Sequence, residues 1–390
     1  MTREHSLRVK LLAVAISTLI TTVVLFGVGE LVTRHRERNR STVPGSMSMI
    51  FYRHERLGHA LIRDNDYFGW IHVNAQGVRG TRPVAVPKPA GTFRILADGG
   101  STTFDSFVSA DDRTWPARLE AWLNELAPGS QVEVVNVGVP GYRVQQNLIQ
   151  MLGEQSDWEP DLVLQLQGHN DLFSALLTAR CKEVRGGSTP GEVRRITPWR
   201  YWLERNSLLF NKLVGKWNAV RPRLRARGSS GAQSPPDFDA RVACGEERFQ
   251  RDLAAYLAVV RLMNVPIVLL EPMHISGAAP DATTEDAAAW RNAVPGVPPE
   301  HVLKGYERFA SILNAEAHRA GAIYLELGDA GLAGRQWYYD GDPIHFNDAG
   351  ADRMAQYVAR SLVDSGLVRG AVPATRQGED TLTGTGAGGR

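Results

Sequence analysis

Five short runs of apolar residues, at 93–97, 132–137, 162–166, 265–270 and 323–327, alternate along the chain with longer segments whose apolar positions recur every three to four residues. Predominantly apolar runs of this length predict strands buried on both faces, as in a parallel sheet. The periodic segments at 114–126, from about 144, at 247–263, 301–320 and 348–363 predict helices. Their alternation predicts an α/β fold, a three-layer α/β/α sandwich around a central parallel sheet of about five strands.

The amino end follows a different pattern. Residues 11–28 carry no charge and are apolar on every side. Continued to Val32, the run is long enough at 1.5 Å per residue to cross a hydrocarbon core of about 30 Å. Arg3, Arg8 and Lys10 before it resemble the basic start of a signal peptide, but no small-x-small cleavage site follows, and Glu30 and Arg34 come instead. We therefore expect an uncleaved membrane anchor over 1–33, a juxtamembrane connection over 34–66, the main folded domain over 67–368 and a disordered, Gly- and Thr-rich tail over 369–390. Lys and Arg lie on both sides of the anchor, so their count does not set its orientation.

Regular alternation breaks over 179–245, read as an insertion. It holds Pro190, Pro198, the aromatic group Trp199, Tyr201 and Trp202, a basic run at 221–227 and a Gly/Ser/Pro-rich stretch at 228–236. Those aromatics fit packing onto the domain, an acceptor groove or a membrane surface. Cys181 and Cys244, the only cysteines, both fall in it; a bridge in an oxidising compartment and two free thiols remain open readings. With 43% hydrophobic and 22% charged residues and a formal net charge of +2, the composition lends no support to nucleic-acid binding.

Candidate chemistry sits just after the predicted strands, where open α/β sheets build their sites. Gly99-Gly100-Ser101-Thr102 follows the first run, Gly138-Val139-Pro140-Gly141 the second, Gly168-His169-Asn170-Asp171 the third, and Asp342-Pro343-Ile344-His345 comes after the last. Ser101 is a weak nucleophile that needs a base, and His345 is the best placed; Asp342, three residues earlier, can bond the other ring nitrogen and stabilise the imidazolium. Plainer roles compete: Pro140-Gly141 fits a simple turn, and Asn170 fits a helix N-cap. A zinc site from His169, Asp171, Asp342 and His345 would leave the Ser101 stretch unexplained.

In this order the four stretches resemble the SGNH hydrolases, the GDSL esterase and lipase family, whose Ser, Gly, Asn and His blocks they match at Ser101, Gly141, Asn170 and, with Asp342, His345. The resemblance covers roughly 65–367 and implies a flavodoxin-like sheet and a Ser101, His345, Asp342 triad. It also implies an oxyanion hole from the Ser101 and Gly141 amides and the Asn170 side chain, with no metal or organic cofactor. One position departs: Gly100 stands where the family's first block usually carries Asp, a residue outside the triad. The lead-in Asn74-Ala75-Gln76-Gly77-Val78-Arg79-Gly80 looks like that of membrane-anchored bacterial members with a Gly-Gly-Ser-Thr-Thr block, which generally face away from the cytoplasm, in the periplasm or outside the cell. The expected partners are the membrane and an acyl ester of a carbohydrate or lipid: O-acetyl groups on an envelope or secreted glycan first, then short acyl esters or lysolipids. The alternatives are an O-acetyltransferase using the same triad on a sugar hydroxyl, and a catalytically silent envelope-assembly protein.

Overall fold

The computed structural model describes residues 2–38, 50–67, 69–177, 198–210, 212–214, 216–217, 238–275 and 284–369. At its centre five parallel strands, β1 (Thr92–Gly99), β2 (Gln131–Asn136), β3 (Leu162–Leu166), β4 (Ile267–Leu270) and β5 (Ile323–Leu325), pair in the order β2-β1-β3-β4-β5. Ile95 of β1 lies between Val134 of β2 and Leu162 of β3, which fixes the register. Every residue of β3 and β4 is buried, as expected of strands covered on both faces.

The α-helices are α1 (Thr2–Arg38), α2 (Ser101–Phe104), α3 (Trp115–Leu126), α4 (Val144–Met151), α5 (His169–Leu177), α6 (Pro198–Asn206), α7 (Phe238–Leu262), α8 (Thr284–Ala293), α9 (Pro299–Ala320) and α10 (Asp348–Asp364). On one side of the sheet α3 packs against α10; on the other α7 packs against α4, α5 and α9. Local chemistry sets the ends of the first pair. Thr114 caps α3 by accepting from the Ala117 amide, and Asn347 caps α10 by accepting from the Ala349 and Gly350 amides.

Three departures from the sequence reading have physical causes. Within the stretch read as a connection, 51–54 and 58–61 form an antiparallel hairpin that joins a second, smaller core with Tyr67, Ile71, Val73, Phe104, Val139 and Tyr142. The domain thus takes in residues before 67, since the hairpin is held by long-range packing that its own short pattern does not signal. Helix α7 starts at Phe238, inside the span read as insertion, because its buried Val242 packs in the main core. Helix α8, anchored by the fully buried Trp290, was not foreseen at all. Cys244 is in a disulfide, while Cys181, like most of the insertion and the tail from 370, lies outside the described residues.

Candidate active site

Strand β1 occupies the point where the strand order reverses, and the chain leaves it directly into α2, whose first residue is Ser101. The turn is tight. A Cβ on Gly99 would stand 2.4 Å from the Leu166 carbonyl oxygen of β3, so only glycine lets the two strand ends approach this closely. As N1 of a helix, Ser101 keeps a backbone N–H with no intrahelical acceptor.

Below the turn lies a buried polar knot. Asp98 of β1 accepts from the Tyr256 hydroxyl at 2.6 Å and from the Asn147 amide, and Asn147 accepts in turn from Gln167. Burial pushes the Asp98 carboxyl up to about 7, against the lowering pull of these bonds and of the Gly99 amide. The unfolded value is near 4, so the native state holds a proton between about pH 4 and 7 that the unfolded chain releases. The stability this group supports is therefore full below pH 4 and lost as pH rises through 7. Asp98→Asn is expected to flatten the fall in stability between pH 5 and pH 8 and to gain a few kcal/mol over the wild type at pH 8, read from urea midpoints. Identical slopes for the two proteins would show that Asp98 does not titrate there.

Buried Arg79, from the Asn74 to Gly80 lead-in, holds the other end of α2. Its Nη1 donates to the Phe104 and Asp105 carbonyls at 2.8 and 2.6 Å, its Nε donates to Asp111 at 2.9 Å, and its guanidinium lies over the Phe104 ring. The short helix that carries Ser101 is thus fixed from both sides.

The structure brings Asp342, Ser101 and His345 together. The Ser101 hydroxyl donates to His345 Nε2 at 2.7 Å, and His345 Nδ1 donates to Asp342 Oδ2 at 2.8 Å. Asp342 Oδ1 accepts from the Ile344 and His345 amides, both at 2.9 Å. Burial alone would raise the Asp342 carboxyl; the His345 charge and ring bond, with those two amides, outweigh it and hold it below the usual carboxylate range. The loop is closed by a bridge between Tyr338 and Phe346 and pinned to the segment after β4 by the Ile275 amide donating to the Pro343 carbonyl. Phe107 lies edge-on to the His345 ring and stacks on Tyr339, forming an aromatic wall beside His345.

Asn170 and Gly141 converge on the same turn. Asn170 is the second residue of α5, not its cap, and its Nδ2 donates to the Tyr142 carbonyl at 2.8 Å. An amide nitrogen has two hydrogens, so one remains to be offered. A Cβ on Gly100 would stand 2.7 Å from Asn170 Nδ2 and 3.2 Å from the Tyr142 carbonyl oxygen. Any side chain at 100 would displace that pair, which accounts for glycine at the departing position. Gly141 is exposed, with φ +84°, at the tip of a turn closed by the Tyr142 amide donating to the Val139 carbonyl. A Cβ at Gly141 would stand 3.3 Å from the ring of His59, a residue with no sequence signal, whose Nε2 bonds the Pro140 carbonyl at 2.8 Å while its own carbonyl accepts from the Tyr142 hydroxyl. Burial lowers the His59 pKa against the raising effect of the Pro140 bond. Replacing Asn170 by Ala would remove one donor and is expected to lower turnover ~10² to 10³-fold with KM little changed. A loss below tenfold in steady-state kinetics would remove Asn170 from the proposed oxyanion hole.

His169 is buried, its Nδ1 is bonded to the Tyr306 hydroxyl at 2.7 Å, and burial pushes its pKa down to about 3. Among the described residues no group of three His, Cys, Asp or Glu is arranged to hold a metal ion.

A model of the GDSL-like lipase/acylhydrolase family matches residues 97–353. No curated protein matches the sequence. Among solved structures, the chain is similar to a candidate GDSL-like lipase from Parabacteroides merdae ATCC 43184, at 19% identity over 70% of this chain and 96% of that one, with a TM-score of 0.40. A variant of Axe2, an acetyl-xylooligosaccharide esterase from Geobacillus stearmophilus, matches at 13% identity over 69% and 93%, with a TM-score of 0.41.

Proposed function

Because the chain belongs to the GDSL-like lipase/acylhydrolase family and is an SGNH-type ester hydrolase, we propose that it cleaves an O-acyl ester through an acyl-Ser101 intermediate. The substrate class we assign is O-acetyl groups on an envelope or secreted glycan. The unbroken line from Ser101 through His345 to Asp342 carries the reading. As Ser101 Oγ bonds to the ester carbonyl carbon, its proton passes to His345 Nε2. The oxyanion so formed meets the Ser101 and Gly141 amides and the second hydrogen of Asn170 Nδ2. Collapse breaks the bond to the alcohol, which leaves with the proton from His345. Water then attacks the acyl carbon by the same route, releases the acid and restores Ser101.

The Phe107–Tyr339 wall supports a sugar ester, since a flat aromatic surface suits the apolar face of a sugar ring. The test is an activity panel on the full chain in detergent: acetyl, butyryl and octanoyl esters and an O-acetylated glycan, each with and without an unacetylated acceptor glycan. The expected result is release of free acetate, fastest from the glycan. Turnover of long-chain esters alone would overturn the substrate class, and acetyl transfer outpacing acetate release would replace hydrolysis by transfer.

Helix α1 is long and apolar enough over Val9–Arg36 to cross a membrane, a property that signal sequences share. We read it as an uncleaved, single-pass anchor with the catalytic domain in the periplasm or outside the cell. Retention is supported by Glu30, which accepts from the Ser207 hydroxyl and the Leu208 and Leu209 amides at 2.8 to 3.0 Å, so that cleavage after the apolar run would strip contacts from the domain. The outward placement is supported by the disulfide at Cys244, since such bonds persist in oxidising compartments.

A further inference from the structure

Among the described residues of α1 below its first turns, only a stripe at Phe26, Gly29, Glu30, Thr33 and Arg34 is shielded from solvent. Its spacing of three and four residues marks one helix face. That face clasps the chain just after α6. Besides the three bonds to Glu30, Arg34 donates to the Asn206 carbonyl at 2.9 Å, and a Cβ on Gly29 would meet the Leu209 side chain at 2.8 Å. The clasp sits at the last apolar turn of α1, the level at which a spanning helix leaves the hydrocarbon.

On both sides of the clasped residues in sequence, large apolar side chains stand in solvent. Trp199 and Trp202, three apart on α6, are each 62% exposed; Leu213 and Trp217, four apart, are 53% and 60% exposed. Beyond α1, every strongly exposed large aromatic side chain among the described residues is one of these three tryptophans; the others are aliphatic and scattered. Tryptophan concentrates at membrane interfaces because the indole is a large apolar body with one polar N–H.

We propose that the Trp199, Trp202 and Trp217 surface lies in the interface of the bilayer that α1 crosses, giving the enzyme a second membrane contact beside its anchor. This rests on reading α1 as an anchor. The clasp supplies the geometry, fixing these segments at the membrane level instead of leaving the domain on a free tether. Leu208 extends the connection inward, packing on the small core that contains Val139 and Tyr142 of the Gly141 turn.

The test uses the full chain in vesicles of phosphatidylethanolamine and phosphatidylglycerol containing lipids brominated near the carbonyl region. Tryptophan emission is compared with that of a variant carrying Trp199→Phe, Trp202→Phe and Trp217→Phe. The same vesicles are extracted with alkaline carbonate to read the insertion of α1. The expected result is resistance to extraction, quenching in the wild type and loss of most of that quenching in the variant. Resistance to extraction with no quenching, or with equal quenching in both proteins, would overturn this contact and leave the anchor standing; a dimer in detergent alongside absent quenching would assign the surface to a second copy instead. Extraction by carbonate would overturn the anchor and, with it, this proposal.

Discussion

Ser101→Ala is expected to lower ester turnover by at least ~10⁴-fold while shifting the unfolding free energy by no more than ~0.5 kcal/mol. Both parts follow from where the hydroxyl sits. Ser101 uses its backbone carbonyl to hold the end of α2, accepting from the Asp105 and Ser106 amides, and alanine keeps those bonds. The residues that pack α2 in place are Thr102, Thr103 and Phe104, all buried and untouched by the change. What disappears is the one oxygen bonded to His345, and with it the acyl-enzyme route. Residual turnover would come from the oxyanion donors and binding alone. Steady-state kinetics beside urea unfolding checks the pair of expectations; wild-type turnover in a clean Ser101→Ala preparation would refute the nucleophile.

Asp342→Asn is expected to cost ~10⁴ in kcat at pH 7 with the fold retained, because the amide imposes the wrong tautomer on His345. The Asp342 carboxylate accepts on both oxygens, from two backbone amides on one and from the ring N–H on the other. An asparagine can accept on only one side. If its oxygen keeps the Ile344 and His345 amides, its NH₂ faces Nδ1, which must then accept, and the ring proton moves to Nε2, where it blocks removal of the Ser101 proton. The opposite amide orientation sets NH₂ against two backbone N–H groups. A ring ¹⁵N spectrum reporting Nδ1 protonated in the wild type and Nε2 protonated in the variant is the signature that separates this effect from general damage. Near-normal kcat in the variant would contradict the assignment.

The parallel strands and the blocks after them were legible because the inner strands are buried on both faces and so are largely apolar, leaving the polar residues at their ends conspicuous. Ser101, Asn170, Asp342 and His345 stood out in this way, and the structure places them around one turn. Other parts were hidden for physical reasons. Asp98 and Arg79 are charged residues buried by networks of distant partners, and in sequence a charge reads as surface. His59 belongs to strands four residues long that owe their place to packing on Tyr142 and Val139, so no local periodicity announces it. Gly100 departs from the family pattern, and its reason lies in Asn170 and the Tyr142 carbonyl, distant in sequence, which occupy the space beside it. Phe107 and Tyr339, more than 200 positions apart in the chain, meet only in the fold.

The central claim is that Ser101 becomes acylated. It is tested most directly by treating the full chain with a fluorophosphonate or an activated acetyl ester, quenching with acid and locating the adduct by intact mass and peptide mapping. The account predicts one adduct per chain, on the peptide containing Ser101, absent from Ser101→Ala and formed far more slowly in Asp342→Asn. Ester turnover without any adduct, or an adduct on another residue that forms equally in Ser101→Ala, would contradict it.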